Sequence, residues 1–340
     1  MPSEQTPVPP VRVGPDKPSG NDPYIYFKMD GSDNEKPSIP TFGQIVQVED
    51  YITRGRADLL SKVEHNEIGI DTGRVKRFLT RYGLKMTPFL AVARDNGVLG
   101  ETTDPYMQEN GGYLPELGIT YVIRDKKREA TNGVGITEAV LVHEEAHADT
   151  DYPTTGFAFP EDETPIVVRF RNGFTLENVS EDGHNQYFEE GFAGLMQNRY
   201  VVEELGLPHG FSKTDSVPKV SAGEDIVYEL PQSYFIPKSA EDLLGIPDIS
   251  AHAAFGMELL IAKDPEILDA IIRSRTDVEG LRDFARRVSK LHPGLYTLLG
   301  RQPYQEVNFM AATQYIINEL YGGDTAKAAE TVRGRMSLAA

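Results

Sequence analysis

The sequence predicts an α+β fold: a small mixed sheet with a buried helix, followed by a mostly helical C-terminal part. Three observations lead there. Between about residues 86 and 178, β-branched and aromatic runs alternate with Gly-, Pro- and Asn-Gly-marked turns. Two segments with helical spacing, near 138–148 and 185–206, interrupt those runs. After about Leu230 the apolar residues recur almost throughout at three- and four-residue spacing.

Residues 1–44 are expected to form a Pro-rich arm, extended or disordered, since 9 of the 23 prolines fall within the first 40 residues. Within it, "PYIYFKM" has the composition of an added strand. The core is expected at 45–215. "GRVKRFLTRYGL" carries Val75, Phe78, Leu79 and Tyr82 on one helical face. "MTPFLAVARD" and "ITYVIRD" read as strands. Thr137 is a plausible cap for a helix over Glu138–Ala148. "TPIVVRFRNGFTLENV" reads as a hairpin turning at Asn172-Gly173. "NQYFEEGFAGLMQNRYVVEELG" is a long helix ending at Gly206, with one buried side through Phe188, Phe192, Leu195, Met196 and Tyr200. Residues 216–340 are expected to be a mainly helical subdomain. Its clearest start is Asp264-Pro265-Glu266, a cap followed by a first-turn proline and acid. The segments "EILDAIIRS", "EGLRDFARRVSK" and "VNFMAATQYIINELYGG" follow as amphipathic helices.

Bulk composition excludes several functions. With 34 basic and 52 acidic residues the formal net charge is −18, a field that repels phosphate backbones and anionic lipid. Nucleic acid and membranes are therefore not expected partners. There is no cysteine, so disulfides, thiolate metal sites and cysteine nucleophiles are ruled out, and any metal must be held by nitrogen and oxygen. No run of 18 apolar residues and no secretory leader stands out, so the expected location is cytoplasmic.

The chemistry concentrates in "VLVHEEAHAD". On a helix, residues four apart share a face, so His143 and His147 can turn both imidazoles toward one ion. Glu144 flanks that face and is placed to take a proton from a water on the ion. His-Glu-x-x-His on a helix is the arrangement of zinc proteases. The bland alternative is a solvated acidic helix with two incidental histidines. The apolar lead-in of Ala139, Val140, Leu141 and Val142 argues against it, because buried imidazoles need partners. A catalytic zinc takes three protein ligands and leaves a fourth position to water. The extended form with a third histidine is absent, since Thr150 and Pro153 occupy the places of its Gly and His. Glu190, Glu189, Asp149 and His184 remain as third-ligand candidates.

"HEEAH" followed by a helix reading "EGFA" resembles the glutamate-type zincins, the gluzincin metallopeptidases that include aminopeptidase-like and thermolysin-like enzymes. The resemblance covers only these two helices. It implies a zincin-like core with one Zn2+ held by His143, His147 and Glu190, with the small residues after Glu190 letting the two site helices pack closely. It implies a zinc-dependent hydrolase that cleaves peptide bonds in a peptide or protein substrate, with Glu144 as general base. The segment between His147 and Glu190 is longer than usual in these families, and the hairpin at 165–178 would account for it. Gly194 and Gln197 stand where relatives often carry an acid that orients a histidine, so that support is expected from Asp149 or Glu181. Tyr228, Tyr234, His209 and His252 are the candidate donors to the developing oxyanion, while His65 and His292 are expected to make surface or local contacts. "ITYVIRD" is the expected edge strand for substrate. No Gly-x-Met-Glu-Asn amine-binding motif occurs upstream. Two rivals stand beside the enzyme reading: a non-catalytic protein-binding module stabilised by zinc on the same fold, and a helical interaction protein in which the motif is coincidental.

Overall fold

The structure is a computed structural model that describes residues 24–30, 34–37, 40–62, 70–87, 90–93, 111–123, 135–149, 155–159, 165–173, 175–178, 181–206, 237, 239–244 and 249–339. The chain is mixed and mostly helical. In order, it forms β1 (Tyr24–Asp30), β2 (Asn34–Pro37), α1 (Phe42–Lys62), α2 (Thr72–Arg81), β3 (Leu90–Ala93), β4 (Gly111–Leu114), β5 (Ile119–Ile123) and α3 (Gly135–Ala148). Then come β6 (Thr155–Phe159), β7 (Ile166–Asn172), β8 (Thr175–Asn178), β9 (Glu181–His184) and α4 (Gln186–Glu203). The C-terminal part holds α5 (Ala240–Leu244), α6 (Ile249–Lys263), α7 (Glu266–Arg273), α8 (Val278–Leu291), α9 (Leu295–Gly300), α10 (Glu306–Tyr321) and α11 (Thr325–Ala339).

The strands make two sheets. The smaller has the order β3-β5-β4, with β5 parallel to β3 and antiparallel to β4, and α3 packs on β4 and β5. "ITYVIRD" is therefore the central strand of its sheet, and β4 is an edge among the described residues. Strand order depends on pairing between distant segments, which local composition does not encode. The larger sheet runs β2-β1-β6-β7-β8-β9. The "PYIYFKM" segment joins it as β1, parallel to β6 with Tyr24 opposite Thr155. The expected hairpin is β7–β8, and Gly173 takes its turn at φ +56, where a side chain would be strained.

The motif helix begins two residues earlier than Thr137, so that threonine is buried inside the first turn and does not cap it. A real cap is Asp71, whose Oδ1 accepts from the Arg74 backbone at 2.8 Å and starts α2. Asp264 starts α7 as expected, accepting from the Glu266 N–H at 3.1 Å.

α4 is buried on nearly all sides, not on one. α3 lies against one flank and α6 against another. The small residues of "EGFAG" serve the second contact: a Cβ on Gly191 would sit 2.8 Å from the Ala253 carbonyl and overlap Met257, both on α6. Close packing thus joins α4 to the C-terminal helices, and one hydrophobic cluster runs from Ile70 through Phe188 and Phe192 to Val332. Polar anchors hold those helices in place: Thr313 Oγ1 donates to the His252 carbonyl at 2.8 Å, and Tyr321 OH to the Leu259 carbonyl at 2.9 Å.

Candidate metal centre

α3 and α4 cross with His143, His147 and Glu190 facing one another. His143 Nε2 and His147 Nε2 are 3.2 Å apart. Glu190 places one oxygen 3.6 Å from His143 Nε2 and the other 3.5 Å from His147 Nε2. Ligands at zinc-like bond lengths span tetrahedron edges of about 3.3–3.5 Å. The donor set fits a single metal ion on those separations, and two imidazoles with a carboxylate are compatible with zinc. His143 and Glu190 keep 12 % and 15 % of their side-chain surface exposed, so the cluster is not wholly sealed from solvent.

Helix geometry explains the convergence. His143 and His147 lie one turn apart on α3, whose intervening Ala146 and preceding Leu141 and Val142 are fully buried and hold the helix in the core. Glu190 lies just past the first turn of α4 beside them, and its Oε2 accepts from Ser250 Oγ of α6 at 2.7 Å.

A further carboxylate sits behind His147. Glu189 is 2 % exposed and puts Oε1 3.2 Å from His147 Nδ1. A carboxylate only accepts, so Nδ1 carries the hydrogen and Nε2 is the nitrogen that faces the cluster. Glu189 is thus neither the third member of the trio nor a surface acid: it orients a histidine. His143 lacks an equivalent support, and its buried Nδ1 has no hydrogen-bond partner among the described residues.

The electrostatics favour positive charge. Burial pulls the His147 imidazole down, but the carboxylates of Glu190, Glu189 and Glu144 overcome it and push the pKa up to about 9. Burial pushes the Glu190 carboxyl up, yet His147, His143 and the Ser250 hydroxyl hold it at about 2. A proton and a metal cation therefore compete for the same three side chains.

The other expected residues fall as follows. Glu144 is half-buried beside β4, where a Cβ on Gly111 would sit 3.1 Å from its Cγ and 2.8 Å from Val140. Asp149 ends the helix and uses Oδ1 to accept from the Lys85 backbone at 3.0 Å, apart from the trio. His184 is exposed at the end of β9, which also contains Glu181. His252 is buried on α6 two residues from Ser250, about 200° round the helix, and stands outside the convergent group. His292 makes a local pair with Glu319 at 3.1 Å. His65, His209, Tyr228 and Tyr234 lie outside the described residues. Sequence reasoning missed Ser250 and Arg275, which belong to the C-terminal helical part and carry no motif.

No protein-family model matches the chain, and neither a curated protein nor a solved structure matches it. Among the described residues, no helix is long and apolar enough to cross a membrane.

Proposed function

We propose that this chain is a zinc-dependent metallopeptidase with a zincin-like core, in which His143, His147 and Glu190 hold one Zn2+. One observation carries the reading: three donors from α3 and α4 converge at tetrahedral-edge spacing, with two of them partly exposed and Glu189 against His147 Nδ1.

Bound there, zinc supplies a Lewis acid and a water with a pKa lowered to about 7. The chain's own residues do the rest. Glu144 follows His143 on the same helix and takes the proton of the attacking water, then delivers it to the leaving amine. β4 lies over this helix, and its backbone edge away from β5 suits pairing with an extended peptide. Gly111 lets that strand come close: a Cβ there would sit 2.8 Å from Val140 and 3.1 Å from Glu144 Cγ, both on the helix. The substrate is thus a peptide or protein segment in extended form.

The test is metal analysis of the purified chain followed by a peptide-library cleavage screen. One zinc per chain and cleavage are expected. Glu144→Gln should keep the metal and lose about 100-fold or more in turnover. Bound metal without cleavage of any peptide would favour the non-catalytic module, and no bound metal would remove both.

A further inference from the structure

Among the described residues the C-terminal helices bring no ligand to the trio, yet they send a cation to its rear. Arg275 lies in the turn between α7 and α8 and is fully buried. Burying a guanidinium costs several kcal/mol unless its N–H groups are met. Here Nη1 donates to Glu189 Oε2 at 3.2 Å and Nη2 to Glu189 Oε1 at 2.9 Å, a two-pronged grip on one carboxylate. Nε donates to the Asp149 carbonyl at 2.7 Å, Nη2 also to the Ala146 carbonyl, and the guanidinium carbon lies 4.7 Å from the centre of the Phe192 ring.

Every one of these partners flanks a member of the trio in sequence. Ala146 and Asp149 bracket His147, while Glu189 and Phe192 bracket Glu190. The two carbonyls belong to the end of α3, where no helical N–H of the described residues donates to them. One rigid planar group therefore joins the two ligand-bearing segments and fixes the plane of the carboxylate that touches His147.

We propose that Arg275 is a positioning residue of the metal centre, acting through Glu189 on the His147 ring; this rests on the metal-site reading above. The guanidinium sets the Glu189 carboxylate, the carboxylate takes the Nδ1–H, and the ring is held with Nε2 toward His143 and Glu190. Without the fork, the carboxylate can rotate and the imidazole can turn over, which withdraws a donor from the trio. Lysine keeps the charge but cannot supply the planar fork.

Zn2+ affinity is measured by competition with a chromophoric chelator at fixed pH, and the visible absorption of the Co2+-loaded protein reports ligand geometry. Arg275→Lys and Glu189→Gln should each bind Zn2+ about 10- to 100-fold more weakly than wild type and show a shifted Co2+ spectrum. The double variant should bind no more weakly than the weaker single variant, because both changes break one link. A folded Arg275→Lys with affinity within about twofold of wild type and an unchanged Co2+ spectrum overturns the proposal, as does a double variant whose losses multiply. If Arg275→Lys does not melt cooperatively, Glu189→Gln decides: Arg275 reaches His147 through that carboxylate, so wild-type affinity and spectrum there overturn the role, and a loss in both upholds it. Failure of the wild-type chain to bind either ion overturns the metal centre itself and this role with it.

Discussion

The backbone N–H of Gly173 donates to the His147 carbonyl at 2.7 Å, which pins the β7–β8 turn to the last turn of the helix that carries both histidines. The segment between α3 and α4 thus returns to the site and closes over its rear.

That contact leaves no room for a side chain. Gly173 has φ +56, and a Cβ there would overlap the Glu189 carboxylate and the Arg275 guanidinium. Gly173→Ala is expected to cost about 2–4 kcal/mol, roughly 1–2 from the left-handed backbone and the rest from crowding. Urea unfolding measures it, and an unchanged midpoint would show that the turn yields freely.

Ser250 supplies a hydroxyl to Glu190 Oε2 at 2.7 Å from a different helix. Ser250→Ala should weaken Zn2+ binding by about tenfold, while Glu190→Ala, which deletes the donor, should weaken it far more. Calorimetric titration separates the two; equal losses would mean that Ser250 matters as much as the carboxylate it orients.

Glu138 is 1 % exposed and ties three helices together. Its Oε1 accepts from the Asp71 backbone at 2.8 Å, and its Oε2 from Arg74 Nε at 3.0 Å, from Arg74 Nη2 and from the Tyr200 hydroxyl. Glu138→Ala strands those donors and should cost about 3–5 kcal/mol. Tyr200→Phe removes one hydrogen bond and should cost about 1–3 kcal/mol. The reverse order in denaturant melts would contradict this arrangement.

Glu258 on α6 is buried, and its Oε1 has no hydrogen-bond partner among the described residues. Burial pushes its pKa up, against the pull of Arg199 and Arg335. Because the folded value lies above the unfolded one, the folded chain holds this proton more tightly. Its contribution to stability is whole below the unfolded pKa, about 4.3, and is lost as pH rises through the folded value. Glu258→Gln should therefore melt higher than wild type at pH 8, with the gap closing toward pH 4. A gap that widens on acidification would reverse the sign of the shift.

The parts of the site that were legible in the sequence are those written at short range. Four-residue spacing is enough to bring His143 and His147 to one face, and the resemblance carried by "EGFA" points to Glu190 ahead of Glu189, Asp149 and His184. The helix starting at Asp264 and the Asn172-Gly173 turn follow from local backbone chemistry in the same way. What was not legible depends on distant partners. The place of β5 between β3 and β4 is set by pairing across long connections. The all-round burial of α4 is hidden because Gly191 looks unremarkable by hydrophobicity, although its smallness is what admits α6. The acidic pair before Gly191 gave a hint of Glu189, but its role emerges only with Arg275 in place.

The clamp from Arg275 also sets an order of events during synthesis. His143, His147 and Glu190 leave the ribosome well before the turn that grips the end of α3. At roughly 5–20 residues per second, the interval from Glu190 to Arg275 is on the order of ten seconds. Through that interval the nascent polypeptide has its donor atoms but not the joint that holds them, so the clamp waits for the turn between α7 and α8 to be made.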